Sequence, residues 1–315
     1  MDFISIIIQV ILLIVGFVLL IKGADFFVDG SSNVASILKI PTLIVGLTIV
    51  AFGTSAPEAA VSITSSLSGS NALALSNVIG SNLFNMMLII GLCALLKELK
   101  IDEKVLKLDL PFLVILTGIL TAFILLGWKI SRIEGIILII LIIAYVSYLV
   151  YNARKSKESL TVEKPKLSLL RSIIYIVCGV AGIIIGADLV VDSASYIALA
   201  FGMSETLVGL TIVAMGTSLP ELVTSLAALK KDENQLVIGN VIGSNIFNIS
   251  LVLGASSAIS PISINHNMLL DIMLMFGVTI LFFIFGKTHN KYDKKEGFIL
   301  VALFIAYMAF AIFRN

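Results

Sequence analysis

The sequence predicts an all-α, polytopic membrane protein of ten transmembrane helices built as two inverted five-helix repeats. Three observations carry this: an extreme apolar composition, an internal repeat at a constant offset, and an odd number of spans in each copy. Of 315 residues, 59% are hydrophobic and only 13% charged, with a mean hydropathy of +1.11. A soluble core of this length could not hide so much apolar surface. A net charge of +1 gives no reason to expect nucleic acid, and nothing implies a protein partner. The partners the composition calls for are the lipid bilayer and whatever crosses it.

Apolar runs long enough to span, about 20 residues each, fall near 4–24, 40–67, 73–96, 108–127, 133–151, 169–190, 203–229, 234–258, 268–286 and 297–313. The opening "MDFISIIIQV" has no basic stretch, and no small-residue cleavage site follows the apolar run. It reads as the first span, not as a removable leader. Lysines and arginines fall on alternate loops. Lys39, then Lys97, Lys100, Lys104 and Lys107, then the stretch Arg154 to Arg171, then Lys230 and Lys231, and finally Lys287, Lys291, Lys294 and Lys295 share one side. The other side has Lys129, Arg132 and Arg314. The positive-inside rule makes the rich side cytoplasmic and predicts both termini to be extracellular. Trp128, beside Lys129 at a span end, reads as an interfacial anchor. Cys93, Cys178, His266 and His289 have no metal-ligand spacing, so no zinc site and no cofactor is expected.

"VGLTIVAFGTSAPE" from Val45 returns as "VGLTIVAMGTSLPE" from Val208, an offset of 163 residues. At the same offset "SNVIGSNLFN" from Ser76 pairs with "GNVIGSNIFN" from Gly239, and "GADFFVDG" from Gly23 with "GADLVVDS" from Gly186. With five spans per copy, the second must enter the membrane from the opposite face. The expected organisation is a first repeat over 1–152, a solvated cytoplasmic linker over 153–168, and an inverted second repeat over 169–315. Packing alone would retain small and apolar residues in both copies. It would not retain a membrane-embedded glutamate, paired asparagines and hydroxyls.

An ionised carboxylate in hydrocarbon costs at least about 2.5 kcal/mol. Glu58 and Glu221 therefore need protonation or a neutralising cation, since no Lys or Arg lies within the spans that carry them. Pro57 and Pro220 each displace the carbonyl four residues back, at Gly53 and Gly216. Thr54 and Ser55 share a helix face with Glu58, and Thr217 and Ser218 with Glu221. In the next span Asn77, Ser81 and Asn85 step by four along one face, as do Asn240, Ser244 and Asn248, with Gly80 and Gly243 offering places to bend. What gathers is oxygen without nitrogen bases or thiols, a set suited to Ca²⁺ or Na⁺. Asn82 and Asn245 lie about 100° around the helix and read as helix-to-helix hydrogen-bonding residues. Asp25, Asp29, Asp188 and Asp192 read as a solvated mouth near the ends of the first and sixth spans. "SITSSLSGS", Ser62 to Ser70, reads as small-residue packing running into a loop.

The paired "GTSAPE…NVIGSNLFN" and "GTSLPE…NVIGSNIFN" resemble the two α-repeats of the sodium/calcium exchangers of the calcium/cation antiporter superfamily. The ten-span inverted plan extends the likeness over nearly the whole chain. The resemblance implies a secondary antiporter, not an enzyme, exchanging Na⁺ for Ca²⁺ by alternating access, with the first and sixth helices, here Ile4 to Ala35 and Leu169 to Ala198, sliding over the rest. It puts ion coordination on Ala51 through its carbonyl, Thr54, Ser55, Glu58, Ser81 and Asn85, and on Ala214 through its carbonyl, Thr217, Ser218, Glu221, Ser244 and Asn248. Several family members have Asp where this chain has Asn248, so any third acidic ligand is missing. Two carboxylates match one Ca²⁺ or two Na⁺, and a third Na⁺ would make exchange electrogenic. A proton/calcium exchanger and a K⁺-dependent Na⁺/Ca²⁺ exchanger are the alternatives. Hydroxyls beside both glutamates favour Na⁺, because a proton needs no coordination shell.

Overall fold

A computed structural model describes residues 3–69, 71–155, 165–203, 212, 214–264 and 266–314. Helix α1 runs Phe3–Leu38. A bent pair follows, α2 over Thr42–Thr54 and α3 over Ala56–Leu67. Then come α4 at Asn71–Leu96, α5 at Val105–Gly127 and α6 at Arg132–Lys155. The second half has α7 at Leu169–Ala200, a short α8 at Ala214–Gly216, α9 at Leu219–Lys230, α10 at Asn234–Ile259, α11 at His266–Lys287 and α12 at Lys294–Arg314. Among the described residues eight helices are long and apolar enough to cross a membrane, nine if the bent pair counts as one. The expected span at 203–229 and the start of its motif at Val208 lie partly outside the described residues, as does part of the expected linker.

Two departures from the sequence reading concern α1 and α7. The apolar spans were expected to end near residues 24 and 190, and the helices that contain them near Ala35 and Ala198; the helices run to Leu38 and Ala200. At 1.5 Å per residue they are about 54 and 48 Å long, well beyond the ~30 Å hydrocarbon thickness. Asp25, Asp29, Asp188 and Asp192 therefore sit within helices, not near their ends. Their side chains are partly or fully exposed on the folded chain.

The two long helices lie antiparallel in backbone contact. A Cβ built on Gly23 would come within 2.8 Å of the Ile183 nitrogen and 2.9 Å of the Gly179 oxygen. One on Gly186 would come within 2.7 Å of the Leu20 nitrogen and 2.8 Å of the Gly16 oxygen. In a bilayer, small residues supply what the hydrophobic effect cannot, close van der Waals packing of one backbone on another. The Asn33 side chain closes one end of the pair. Its amide donates to the Leu167 carbonyl at 2.8 Å and to Ser172 Oγ at 2.7 Å, and its oxygen accepts from the Lys166 and Leu167 N–H groups at 2.7 and 3.0 Å.

Helices α4 and α10 form the buried centre and are also antiparallel. Asn71, opening α4, donates to Ser260 Oγ beyond the end of α10 at 2.8 Å. Lys97, just past α4, pairs with Asp232 just before α10. Gly239 and Gly243 let α10 cross α2 closely: a Cβ on Gly243 would meet the Leu47 Cα at 2.9 Å. Gly243 is therefore a close-approach position and not the bend expected of it, and α4 and α10 both run helical through Gly80 and Gly243. The irregularity comes a turn later, in wide π-type turns at Phe84–Ile89 and Asn248–Val252.

Two short strand pairs fasten opposite ends. β1, Leu99–Lys100, pairs with β4, Lys291–Tyr292, and β2, Lys129–Ile130, pairs with β3, Ile262–Ser263. These pairs are repeat equivalents: Leu99 and Ile262 correspond, as do Lys129 and Tyr292. The first lies at the Lys97 end of α4 and the second at the Asn71 end. Two-residue strands carry no periodic signal, so the sequence reading missed them.

Candidate functional site

Glu58 and Glu221 owe their positions to breaks in the helices. At Ser55 the backbone leaves helical geometry (φ −80°, ψ 7°), and α3 starts anew with Pro57 in its first turn, 48° off the axis of α2. Ser218 (φ −92°, ψ 3°) and Pro220 repeat this before α9. Proline lacks the N–H that would continue the helix, and its ring crowds the preceding turn. Each glutamate falls in the first turn of a new helix, where unsatisfied N–H groups favour negative charge. Both are 0% exposed.

Hydroxyls reach these carboxylates across the two halves. Ser218 Oγ donates to Glu58 Oε1 at 3.2 Å and Ser55 Oγ to Glu221 Oε1 at 3.0 Å, a reciprocal exchange between repeats. Ser81 Oγ adds a contact to Glu58 Oε1 at 3.4 Å. The Thr54 hydroxyl lies 3.3 Å from Ser244 Oγ and 3.1 Å from Asn240 Oδ1, and also faces the Ala51 carbonyl at 3.3 Å. That carbonyl accepts the Ser55 N–H at 3.0 Å. Thr217 donates to Asn77 Oδ1 at 3.3 Å. Ala214 opens α8.

Asn77 and Asn240 were expected on the same face as the serines and asparagines that follow them. The structure turns their amides to other work. Asn77 donates to the Glu58 carbonyl at 3.3 Å and Ser62 Oγ at 3.0 Å, and Asn240 to the Glu221 carbonyl and Ser225 Oγ at the same two distances. A buried amide must spend its N–H groups on acceptors, and these tie each bent segment to the next helix. Ser62 thus has a hydrogen-bonding role that its reading as small-residue packing missed.

Asn85 and Asn248 meet across the centre through their neighbours. Asn85 donates to Asn245 Oδ1 at 3.3 Å and Asn248 to Asn82 Oδ1 at 3.1 Å, while Asn82 donates to the Asn245 carbonyl at 3.4 Å. Four acceptors in this region are buried without any hydrogen-bond partner among the described residues: Glu58 Oε2, Glu221 Oε2, Asn85 Oδ1 and Asn248 Oδ1. They form two repeat-related pairs. No ion pair among the described residues involves either glutamate. Buried acceptors left unpaired are costly, charged ones most of all, and a hard cation is the partner that oxygen of this kind takes.

Residues 8–151 and 171–313 match the family described as Sodium/calcium exchanger protein. The chain belongs to the sodium/calcium exchanger family. The exchanger is 37% identical over 308 residues to the putative antiporter CaxA of Alkalimonas amylolytica, covering 94% of this chain and 96% of that one. It is 30% identical over 341 residues to the sodium/calcium exchanger MaX1 of Methanosarcina acetivorans, with 95% and 97% covered. In three dimensions it resembles the sodium-calcium exchanger NCX_Mj soaked with 2.5 mM Na⁺ and 10 mM Sr²⁺, with a TM-score of 0.86, 32% identity, and 96% and 99% of the two chains covered. The exchanger is thus a multi-pass membrane transporter of a cation-exchange family, not an enzyme.

Proposed function

We propose that the exchanger moves Ca²⁺ against Na⁺ by alternating access, with the ions held by the carbonyl of Ala51, Thr54, Ser55, Glu58, Ser81 and Asn85 and by the carbonyl of Ala214, Thr217, Ser218, Glu221, Ser244 and Asn248. The observation that carries this reading is the set of four buried, unpartnered acceptors, two of them carboxylate oxygens at the starts of α3 and α9 and two of them amide oxygens on α4 and α10, forming two repeat-related pairs. Two ionised glutamates supply −2, which one Ca²⁺ or two Na⁺ would balance. Either load then crosses hydrocarbon at tolerable cost, while the unbalanced site does not, and that difference enforces exchange. A third Na⁺ makes the cycle electrogenic. Hydroxyls at 3.0 to 3.4 Å from both glutamates favour an ion with a coordination shell over a bare proton.

Residues 1–152 and 169–315 act as inverted repeats joined by a cytoplasmic linker at 153–168, with the lysine-rich face inside and both termini outside. Exchanging the conformations of the two halves carries the site from one face to the other. The antiparallel α1 and α7, joined by their glycines and by Asn33, are the body that slides. The deciding measurement is ⁴⁵Ca²⁺ uptake into proteoliposomes preloaded with Na⁺, set against K⁺ loading and a pH gradient. Uptake should require outward Na⁺ and quicken with an inside-positive potential. Uptake driven by a pH gradient alone would reassign the coupling ion to H⁺.

A further inference from the structure

We propose that Asn82 and Asn245 are positioning residues that aim the carbonyl oxygens of Asn248 and Asn85 at the ion. The inference rests on the ion-site reading above and adds to it two side chains that touch no ion. A carboxamide has an acceptor at one end and a donor at the other, and the two ends are nearly equal in size. Rotated by half a turn, Asn85 or Asn248 would present an N–H₂ group to a cation and repel it. Sterics alone cannot forbid that rotation. A hydrogen bond that consumes the amino group can.

The structure supplies one such bond on each side. Asn248 Nδ2 donates to Asn82 Oδ1 at 3.1 Å, and Asn85 Nδ2 donates to Asn245 Oδ1 at 3.3 Å. Both ligand amides are thereby left with an unpartnered oxygen. Asn82 is itself held, its own amino group on the Asn245 backbone carbonyl at 3.4 Å, whereas the Asn245 amino group has no partner among the described residues. All four asparagines are at most 1% exposed. The arrangement is crossed: each repeat's positioning residue serves the other repeat's ligand. The two ion-facing oxygens are thus oriented jointly by α4 and α10. Tethering of helix to helix, the simpler role for these residues, predicts the same hydrogen bonds but not the dependence on what occupies position 248.

That dependence is the test. Asp at position 248 has two equivalent oxygens and no amino group to turn away, so it needs no help from Asn82. Equilibrium ⁴⁵Ca²⁺ binding to the purified full chain would be measured for wild type, Asn82→Ala, Asn248→Asp and the double variant, with the Asn245→Ala pair alongside. Asn82→Ala should weaken Ca²⁺ binding about five- to tenfold in the wild-type background, the scale of one buried hydrogen bond. It should cause no further loss beside Asn248→Asp. Asn245→Ala, which serves Asn85, should cost the same in both backgrounds. An equal loss from Asn82→Ala in both backgrounds, or no loss in either, overturns the positioning role and leaves the ion site standing. Wild type that binds no Ca²⁺ would instead bring down the ion-site reading itself. Thermal unfolding of Asn82→Ala distinguishes loss of orientation from loss of the fold, and a variant that unfolds where wild type does not would assign Asn82 to packing.

Discussion

Replacing Gly23 with alanine tests the contact on which the sliding body depends. An alanine Cβ would lie 2.8 Å from the Ile183 nitrogen, 2.9 Å from the Gly179 oxygen and 3.0 Å from the Gly182 carbonyl carbon. Ordinary contacts begin at 3.4 Å. All three atoms are backbone, so no side chain can swing aside and the helices must part by roughly half an ångström or more. Overpacking of this kind costs about 1–3 kcal/mol. Against it stands the better helix propensity of alanine, at most about 1 kcal/mol. The net expectation is a loss of about 1–2 kcal/mol, or roughly a 5- to 30-fold fall in the folded-to-unfolded ratio. Gly277→Ala is the control, because Gly277 is exposed with nothing within 4 Å among the described residues. Denaturant unfolding in detergent, followed by size-exclusion recovery, would compare the two. If Gly23→Ala is as stable as Gly277→Ala, α1 and α7 do not pack backbone to backbone. The reasoning about a single sliding body then fails with it.

Glu58→Gln and Glu221→Gln should each abolish ⁴⁵Ca²⁺ exchange while the protein stays extractable and monodisperse, since each keeps side-chain volume and removes half the compensating charge; near wild-type flux in either would refute a two-carboxylate site. Asn33→Ala should destabilise the exchanger by about 2–3 kcal/mol, because two backbone N–H groups and two acceptors lose partners at once; unchanged unfolding would mean the 165–168 segment is not held there. Lys231 reaches Asp29 at 2.7 Å and Asp25 at 3.8 Å with its side chain 26% exposed, so Lys231→Gln should shift the balance of the two access states by at most about 1 kcal/mol, or fivefold. Half-saturating Ca²⁺ measured from the two membrane faces should then move in opposite directions, and parallel movement would refute the assignment. Glu98 beside Lys291, at 2.9 Å, pushes the lysine up from its ordinary value. The lysine is therefore fully charged below its unfolded value of about 10.4 and loses its proton only above it, so the shape of the pH profile of exchange between pH 6 and 8 should be the same in Lys291→Gln as in wild type.

The features legible in the sequence are those written in residue type at a fixed spacing. A carboxylate after proline, hydroxyls beside it and asparagines a helix-turn apart name the candidate ion-facing positions because few other side chains belong in hydrocarbon. The repeat offset is legible for the same reason. What stayed hidden depends on which atom of a side chain is used. Asn77 and Asn85 are the same residue eight positions apart on one helix, yet one gives its amide to a bent backbone and the other turns an oxygen inward. The spacing could not separate them, because eight residues at 100° each leave the two only about 80° apart around the helix. The apolar windows stop short where acidic residues interrupt the run, as at Asp25 and Asp188, although the helices continue through them.

The symmetry of the site is not matched at its ends, and that difference bears on how the cycle is poised. Within the membrane nearly every contact has its repeat counterpart: Ser218 on Glu58 and Ser55 on Glu221, Asn77 on the Glu58 carbonyl and Asn240 on that of Glu221. An inverted-repeat transporter with fully symmetric halves would have two access states of equal energy. At the end of α9, however, Lys231 grips Asp25 and Asp29 of α1, while its counterpart at the end of α3 is Ser68. The matching acids Asp188 and Asp192 on α7 have no ion-pair partner among the described residues. In the proposed cycle, this charged side chain at the rim would bias a degeneracy that the paired contacts around Glu58 and Glu221 preserve. A bias of about 1 kcal/mol is enough to favour one face at rest. It is small against the binding energy of a divalent ion, so the load can still drive the exchange of states.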